Sequence, residues 1–351
     1  MTDHRVAIAA TGGAAGTHAR AYENLPDATV VACAGRSREG VESFAEAHDC
    51  AGYLDVGEML DAESVDVLSV CTPAGAHLEP TAAAAERGVD VLCEKPLEIT
   101  TERIDEMLTV ADEGGIRLGG IFQRRYRPLL QAMRDAVAAG RFGSLAVAGV
   151  GLPWWRDDDY YAGRWQGDPE LAGGGVAINQ AIHSIDAVQW LVGCGMDLEP
   201  GENPVSEVFA YTDCSRDEDV TTVEDSAVAN LRFRDGTVAQ LLGSTAMYPG
   251  GEMRYELGGP DGSALVQGDD LVSWQFREEE AGDDEIRELF GPDGAGGDAP
   301  DPLETANARE FLDAREFGEP FMLEGREARK AVAIVEAIYE SADSGEPVSP
   351  S

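Results

Sequence analysis

Lysine is almost missing from this sequence. Lys95 and Lys330 are the only two among 351 residues, and 26 basic residues in all face 66 acidic ones, for a formal net charge of -40. A surface that acidic repels phosphate backbones and anionic lipid heads, which excludes nucleic acid and membrane surfaces as partners. Long apolar runs are missing too. None reaches the roughly eighteen residues that a membrane helix needs, and MTDHRVAIAA has no basic start followed by a long apolar stretch. A soluble, cytoplasmic protein is expected. The six cysteines, Cys33, Cys50, Cys71, Cys93, Cys194 and Cys214, form no CxxC pair, so no zinc or redox centre and no metal is expected. They read as small buried hydrophobes in a reducing compartment. Self-repulsion of so many carboxylates strains a fold in dilute buffer, but in molar salt the Debye length shrinks to about 3 Å and most of it is screened. The acid-rich, lysine-poor composition therefore points to a salt-adapted cytoplasm.

What is present is enough apolar residue, 43%, to fill two cores in a chain of this length. The first third alternates short β-rich runs, RVAIAA (5–10), TVVACA (29–34), VDVLSV (65–70), VDVLC (89–93) and IRLGGI (116–121), with helical patterns. That alternation predicts an α/β unit with a parallel, doubly wound sheet. Ile104, Met107, Leu108 and Ala111 recur at helical spacing and predict a helix starting near Thr100. From about residue 144 the pattern changes to a strand, a polar aromatic loop and a helix reaching about Leu191. Strands then follow near 205–212, 223–233, 237–246, 252–258 and 263–267, separated by turn signals such as RDGT and GPDGS. Consecutive strands after βα units predict a second, α+β domain with an open, largely antiparallel sheet. The expected division is 1–122 and 123–351. Residues 278–301 read as a solvated acidic loop, followed by helices at about 303–315 and 324–341.

After the first strand, Ala10, Gly12, Gly13, Ala14 and Ala15 form a small-residue turn entering a helix. A dinucleotide fold needs such residues so that the backbone turns tightly and approaches the pyrophosphate. In the G-x-G-x-x-G/A frame the three positions are Ala10, Gly12 and Ala15. The first glycine is missing, and Ala10 fits if its backbone angles are ordinary. The second strand ends without the acid that holds a ribose diol in NAD sites. Gly35 stands there instead, followed by Arg36, Ser37 and Arg38, whose guanidinium forks and hydroxyl match a 2'-phosphate. NADP is the expected cofactor, with NAD as the alternative.

This turn, together with CTPAGAH (71–77), CEKP (93–96) and GGG-x-x-x-N-Q-x-x-H-x-x-D (173–186), resembles the Gfo/Idh/MocA oxidoreductases, the family of glucose-fructose oxidoreductase and inositol dehydrogenase. The resemblance implies an N-terminal Rossmann domain and a C-terminal domain whose open sheet supports a homodimer or homotetramer. It places Glu94 beside the cofactor ribose, and Thr72, Pro73 and His77 along the nicotinamide side. Arg125, just past the last Rossmann strand, is a candidate to reach the nicotinamide or the substrate. Lys95 falls where ligands of such sheets sit, at a strand's carboxyl end, and an ammonium there favours alkoxide character as hydride leaves a carbinol carbon.

Asn179, His183 and Asp186 are spaced i, i+4 and i+7 and form one polar stripe on a helix otherwise rich in apolar residues. His183 matches the family's catalytic histidine and suits a general base. Asn179 replaces the aspartate of inositol dehydrogenase-like members. The N-Q-x-x-H form, with Arg156, Tyr160, Tyr161, Trp165 and Gly167 in the preceding loop, is similar to relatives acting on UDP-N-acetylhexosamines or their uronates. Aromatic faces and an arginine suit a sugar ring. The expected activity is hydride transfer between a hydroxyl-bearing carbon of a sugar or nucleotide sugar and nicotinamide, with Lys95 and His183 converging from separate domains. The two can exchange the role of base. A non-catalytic regulator of the same fold and an aldose oxidoreductase or carbonyl reductase are the alternatives.

Overall fold

The computed structural model describes residues 3–291 and 302–351. They form two compact units, one from the described residues of Met1–Gln123 and Asp301–Arg329, the other from those of Arg124–Pro300 and Lys330–Ser351.

The first unit opens with β1 (His4–Ala9), α1 (Gly13–Glu23), β2 (Ala28–Ala34), α2 (Arg38–Ala47), β3 (Ala51–Tyr53), α3 (Val56–Ala62), β4 (Val67–Val70), α4 (Leu78–Ala85), β5 (Asp90–Cys93), α5 (Thr101–Gly114) and β6 (Leu118–Gly120). All six strands pair in parallel, in the order β3-β2-β1-β4-β5-β6. Val6 to Ala9 are fully buried, as strands covered on both faces must be. The order reverses between β1 and β4, which opens a crevice at the carboxyl ends of the strands. Register aligns Ala9, Val70 and Cys93 across β1, β4 and β5, so the residues that follow each strand share one edge. Thr100 caps α5 by accepting from Arg103 N, and Ile104, Met107, Leu108 and Ala111 form its buried face, as their spacing predicts.

The second unit contains α6 (Pro128–Ala138), β7 (Val147–Pro153), the short α7 (Pro169–Ala172), a π turn over Ala177–Ala181 that runs into α8 (Ile182–Gly193), and then β8 (Val205–Asp213), β9 (Ser226–Phe233), β10 (Val238–Ser244), β11 (Arg254–Gly258), β12 (Gly262–Gln267), β13 (Asp270–Phe276) and α9 (Ala281–Phe290). Its seven-stranded sheet runs β13-β12-β11-β7-β10-β9-β8, antiparallel except where β7 lies beside β10. The alternation of buried and exposed residues along β9 and β10 gives the sheet one covered and one open face. The π turn lies on the covered face, close enough that a side chain at Gly243 of β10 would touch Ala181.

Two expectations need correction. The acidic stretch at 278–301 is not all loop: α9 occupies 281–290, started by a capping box between Glu280 and Asp283. Asp283 also accepts from Trp274 Nε1 at 2.6 Å and pairs with Arg141, 142 positions earlier. The remainder, 292–301, lies outside the described residues. The division at 122/123 assigned everything after it to the second domain, whereas α10 (Leu303–Phe317) and the chain as far as Arg329 pack on the first unit. Phe311 and Phe321 cover Gly119, where a Cβ would come within 2.8 Å of either ring, and Gly120 N donates to Leu323 O at 2.8 Å. Arg315 bridges Asp66 and Asp90 at 2.9 Å each, and Arg309 clasps Asp27. The apolar period of a helix reports that it has a core face but not which core receives it. The last helix, α11 (Gly325–Ser344), contributes residues to both units.

Candidate functional site

In the first unit the crevice edge is built on α1. Gly12 is its N-cap, no side chain caps it, and its first turn holds no acid, whereas α2, α3, α4 and α5 each carry a glutamate there. Among the described helices of the first unit this leaves α1 as the start whose unpaired N–H groups and positive dipole end face no carboxylate of its own. A Cβ at Gly12 or Gly13 would meet no protein atom within 4 Å, so the backbone there is open to close approach. A pyrophosphate fits these features. Ala10 does not meet the condition under which it replaces glycine without strain, because its φ is 130°. Ala15 is fully buried and lets the helix pack against the sheet.

The next link was not read from the sequence. His18 of α1 is fully embedded, with Nδ1 2.6 Å from Ser69 Oγ of β4 and Nε2 3.0 Å from Glu94 Oε1 beyond β5. Glu94 Oε2 accepts from Lys95 N at 2.9 Å. Burial raises the Glu94 pKa, but the His18 bond and charge, with Lys95, outweigh it and hold the carboxyl at about 2. Burial likewise opposes a charge on His18, and Cys71 and Glu94 outweigh it, raising the imidazole pKa well above its ordinary value. An ionic junction thus joins the helix of the small-residue turn to the half-buried Lys95. His77 braces the same edge: Nε2 lies 2.8 Å from Thr72 O, and Nδ1 lies 3.1 and 3.2 Å from Pro96 O and Leu97 O. Thr72 Oγ1 donates to Ala76 O, fixing the turn that holds Pro73. At the end of β2, Arg36, Ser37 and Arg38 are exposed, and Ser37 is the N-cap of α2, its oxygen accepting from Gly40 N.

In the second unit the sequence Gly173-Gly174-Gly175 leads into the π turn that carries Asn179 and Gln180. Asn179 N donates to Gly175 O at 2.9 Å and Asn179 Nδ2 to Gly174 O at 3.2 Å. The stripe Asn179, His183 and Asp186 is present but buried, with exposures of 6%, 8% and 0%. Asp186 is held by Arg125, which donates to it at 2.9 and 2.5 Å, so the expected cofactor or substrate arginine is engaged in a buried pair with the last member of the stripe. Gln180 Nε2 donates to Tyr160 OH at 2.8 Å and ties the aromatic loop to the π turn. The Arg156 guanidinium lies 5.1 Å from the Trp154 ring centroid and 5.5 Å from that of Tyr160. No carboxylate pairs with Arg156 among the described residues. Tyr161 packs inside, its hydroxyl 2.6 Å from Thr245 Oγ1, and Trp165 stands half-buried on a short 3-10 turn, Trp165–Gly167.

Glu224 escaped the sequence reading altogether. Its carboxylate accepts from Gly175 N at 2.6 Å and Ala177 N at 2.9 Å, and from Tyr339 OH of α11 at 2.9 Å. Burial raises its pKa against the pull of these donors. No local pattern announces a residue that acts 49 positions away. Elsewhere in the first unit, His4, Asp27 and Glu316 each bring one ligand atom within 4.8 Å of the others. Arg309 takes both oxygens of Asp27, so this cluster reads as paired ions rather than a metal centre.

Residues 4–122 match an oxidoreductase family described by its NAD-binding Rossmann fold, and residues 130–265 match the GFO/IDH/MocA C-terminal domain. The D-glucoside 3-dehydrogenase of Escherichia coli is 30% identical over 255 residues, 69% of this chain and 70% of its own. The inositol 2-dehydrogenase of Rhizobium meliloti is 26% identical over 273 residues, 77% of each chain. The WlbA dehydrogenase of Bordetella pertussis, solved in complex with NADH and UDP-GlcNAcA, superimposes with a TM-score of 0.88 at 28% identity, covering 99% of this chain and 98% of its own.

Proposed function

The chain belongs to the GFO/IDH/MocA family and is an NAD-binding oxidoreductase, and from that premise we propose that it passes a hydride between a hydroxyl-bearing carbon of a sugar, free or nucleotide-linked, and nicotinamide. The observation that carries this reading is the His18–Glu94 junction, because it ties Lys95 to the helix whose open start suits a pyrophosphate. The bound nicotinamide supplies the acceptor or donor of the hydride. His183 takes the hydroxyl proton at its imidazole, the Lys95 ammonium polarises the same oxygen, and Asn179 orients the reacting group. Arg156, Tyr160 and Trp165 offer faces and a charge to the sugar, and an arginine with no acidic partner among the described residues favours an anionic or nucleotide-linked one. The D-glucoside and UDP-GlcNAcA relatives support that substrate class.

NADP is preferred over NAD, since Arg36 and Arg38 stand exposed beside Gly35, which itself brings no carboxylate to repel a 2'-phosphate, and the Ser37 hydroxyl retains a proton to donate while its oxygen caps α2. The NADH complex of the WlbA relative supports NAD as the alternative. Val147, Tyr211, Val228, Val238 and Leu242 are exposed on the open face of the seven-stranded sheet and suit a homodimer or homotetramer. Among the described residues no helix is long and apolar enough to cross a membrane. None of the six cysteines is disulfide-bonded, which supports a cytoplasmic address.

The test is a fluorescence titration with NADPH and NADH in high-salt buffer, followed by a screen of free and UDP-linked sugars for nicotinamide reduction. Tighter binding of NADPH and turnover of a sugar are expected. Tighter NADH binding reverses the cofactor preference, and binding without turnover across the sugars leaves a nucleotide-binding regulator. Neutral isosteres at Lys95 and His183 then assign the base: only the His183 variant is expected to lose the acidic limb of the pH–rate profile.

A further inference from the structure

We propose that Glu224 and Tyr339 form a clamp that positions Asn179 and His183 for the reaction. The inference rests on the catalytic reading of those two residues. A helix start leaves backbone N–H groups without partners, and a serine, threonine or aspartate just before it ordinarily receives them. Here the preceding residues are Gly173, Gly174 and Gly175, which have no side chain to offer. Glu224 fills that role from the far side of the unit's sequence. Its carboxylate accepts from Gly175 N and Ala177 N, and its carbonyl oxygen accepts from Val176 N at 2.8 Å. Three consecutive N–H groups therefore end on one residue.

The same clamp accounts for the glycines. A Cβ on Gly175 would fall inside the Glu224 carbonyl group, and one on Gly174, whose φ is 147°, would collide with the Tyr339 hydroxyl. Tyr339 in turn donates to Glu224 Oε1, so the carboxylate is fixed from the helix side and from α11. What Glu224 holds, Asn179 reads directly: Gly174 O and Gly175 O accept its side-chain and backbone N–H groups. His183 follows four residues later along the same stripe. The π turn between them departs from the α-helical rise, and such turns persist only where neighbours hold them. A carboxylate buried for this purpose costs desolvation, and its satisfaction by two N–H groups and a hydroxyl offsets that cost.

The test uses the full chain labelled at histidine Cε1, with the His183 resonance assigned by His183→Gln. Tyr339→Phe and Glu224→Ala are expected to shift the His183 resonance and to leave those of His4 and His48 in place. On a sugar that the parent protein turns over, they are expected to lower kcat by about ten- to a hundred-fold with little change in KM, the size of effect that a misplacement of about 1 Å produces. Glu224→Gln keeps an acceptor oxygen and is expected to restore most of both signals. Tyr339→Phe removes one hydroxyl and keeps the ring, so it decides the matter if Glu224→Ala does not fold. A folded Tyr339→Phe or Glu224→Ala protein with an unmoved His183 resonance overturns the clamp, as does a moved resonance with parental kcat. If the parent turns over no sugar at all, the catalytic reading fails, whereas the resonance still reports whether the clamp sets His183.

Discussion

Ala10 holds a backbone angle, φ 130°, that a side chain opposes, at the tightest point of the turn before α1. Strain of this kind costs roughly 1–3 kcal/mol, and removing the Cβ returns part of that as extra freedom of the unfolded chain. Ala10→Gly is therefore expected to stabilise the protein by about 1 kcal/mol, seen as a higher melting temperature; an unchanged or lower one would show that the turn carries no strain. Arg125 and Asp186 make the opposite case. Both are buried, and they satisfy each other with two hydrogen bonds. Truncation of the arginine leaves an uncompensated charge, so Arg125→Met is expected to cost about 3–5 kcal/mol, and Arg125→Met/Asp186→Leu to recover most of it. Denaturant unfolding of the two variants measures both. The sequence displayed Asp186 as one tooth of a polar stripe, but its partner lies 61 positions earlier, and helical spacing carries no information about that distance.

At the scale of elements, the junction between α1 and the end of β5 makes stability depend on pH. Glu94 sits at about 2, below its ordinary 4.5, so its contribution is complete above pH 4.5 and is lost as pH falls toward 2. His18 is raised above its ordinary 6.5, so its contribution is complete below 6.5 and is lost as pH rises through the folded value. The junction is whole between those limits. His18→Gln is expected to lower unfolding free energy by roughly 2–3 kcal/mol near pH 5.5, with the gap from the parent protein narrowing toward pH 3; urea titrations at both pH values check it, and a constant gap would sink the idea. Much of this architecture was legible. The parallel strands, Thr100 as a cap and CEKP at a strand's carboxyl end all follow from local apolar runs and breakers. The three-residue β3, the edge strand β13 and α9 were not legible, because short or strongly acidic segments carry too little periodicity to compete with a loop. Gly174 and Gly175 were noticed as a motif, while the groups that demand them, Tyr339 and Glu224, were invisible until the chain was folded.

At the scale of the molecule, a net charge of -40 makes stability expected to depend on salt. The two units share this excess, and the Debye length falls from about 10 Å at 0.1 M to about 3 Å at 1 M salt. The melting temperature is expected to climb as potassium chloride rises from 0.1 to 2 M, with most of the gain below 1 M. A flat profile would mean that surface repulsion is not what limits stability. Composition announced two cores, but it could not announce that one of them is completed by the chain's return.

That return fixes a timetable for synthesis. Gly119 leaves the ribosome long before Phe311 and Phe321, the rings that cover it, and Asp27 long before Arg309. At about 5–20 residues per second, the intervening stretch takes on the order of ten to forty seconds to make. Throughout that interval the nascent parallel sheet waits with one flank bare.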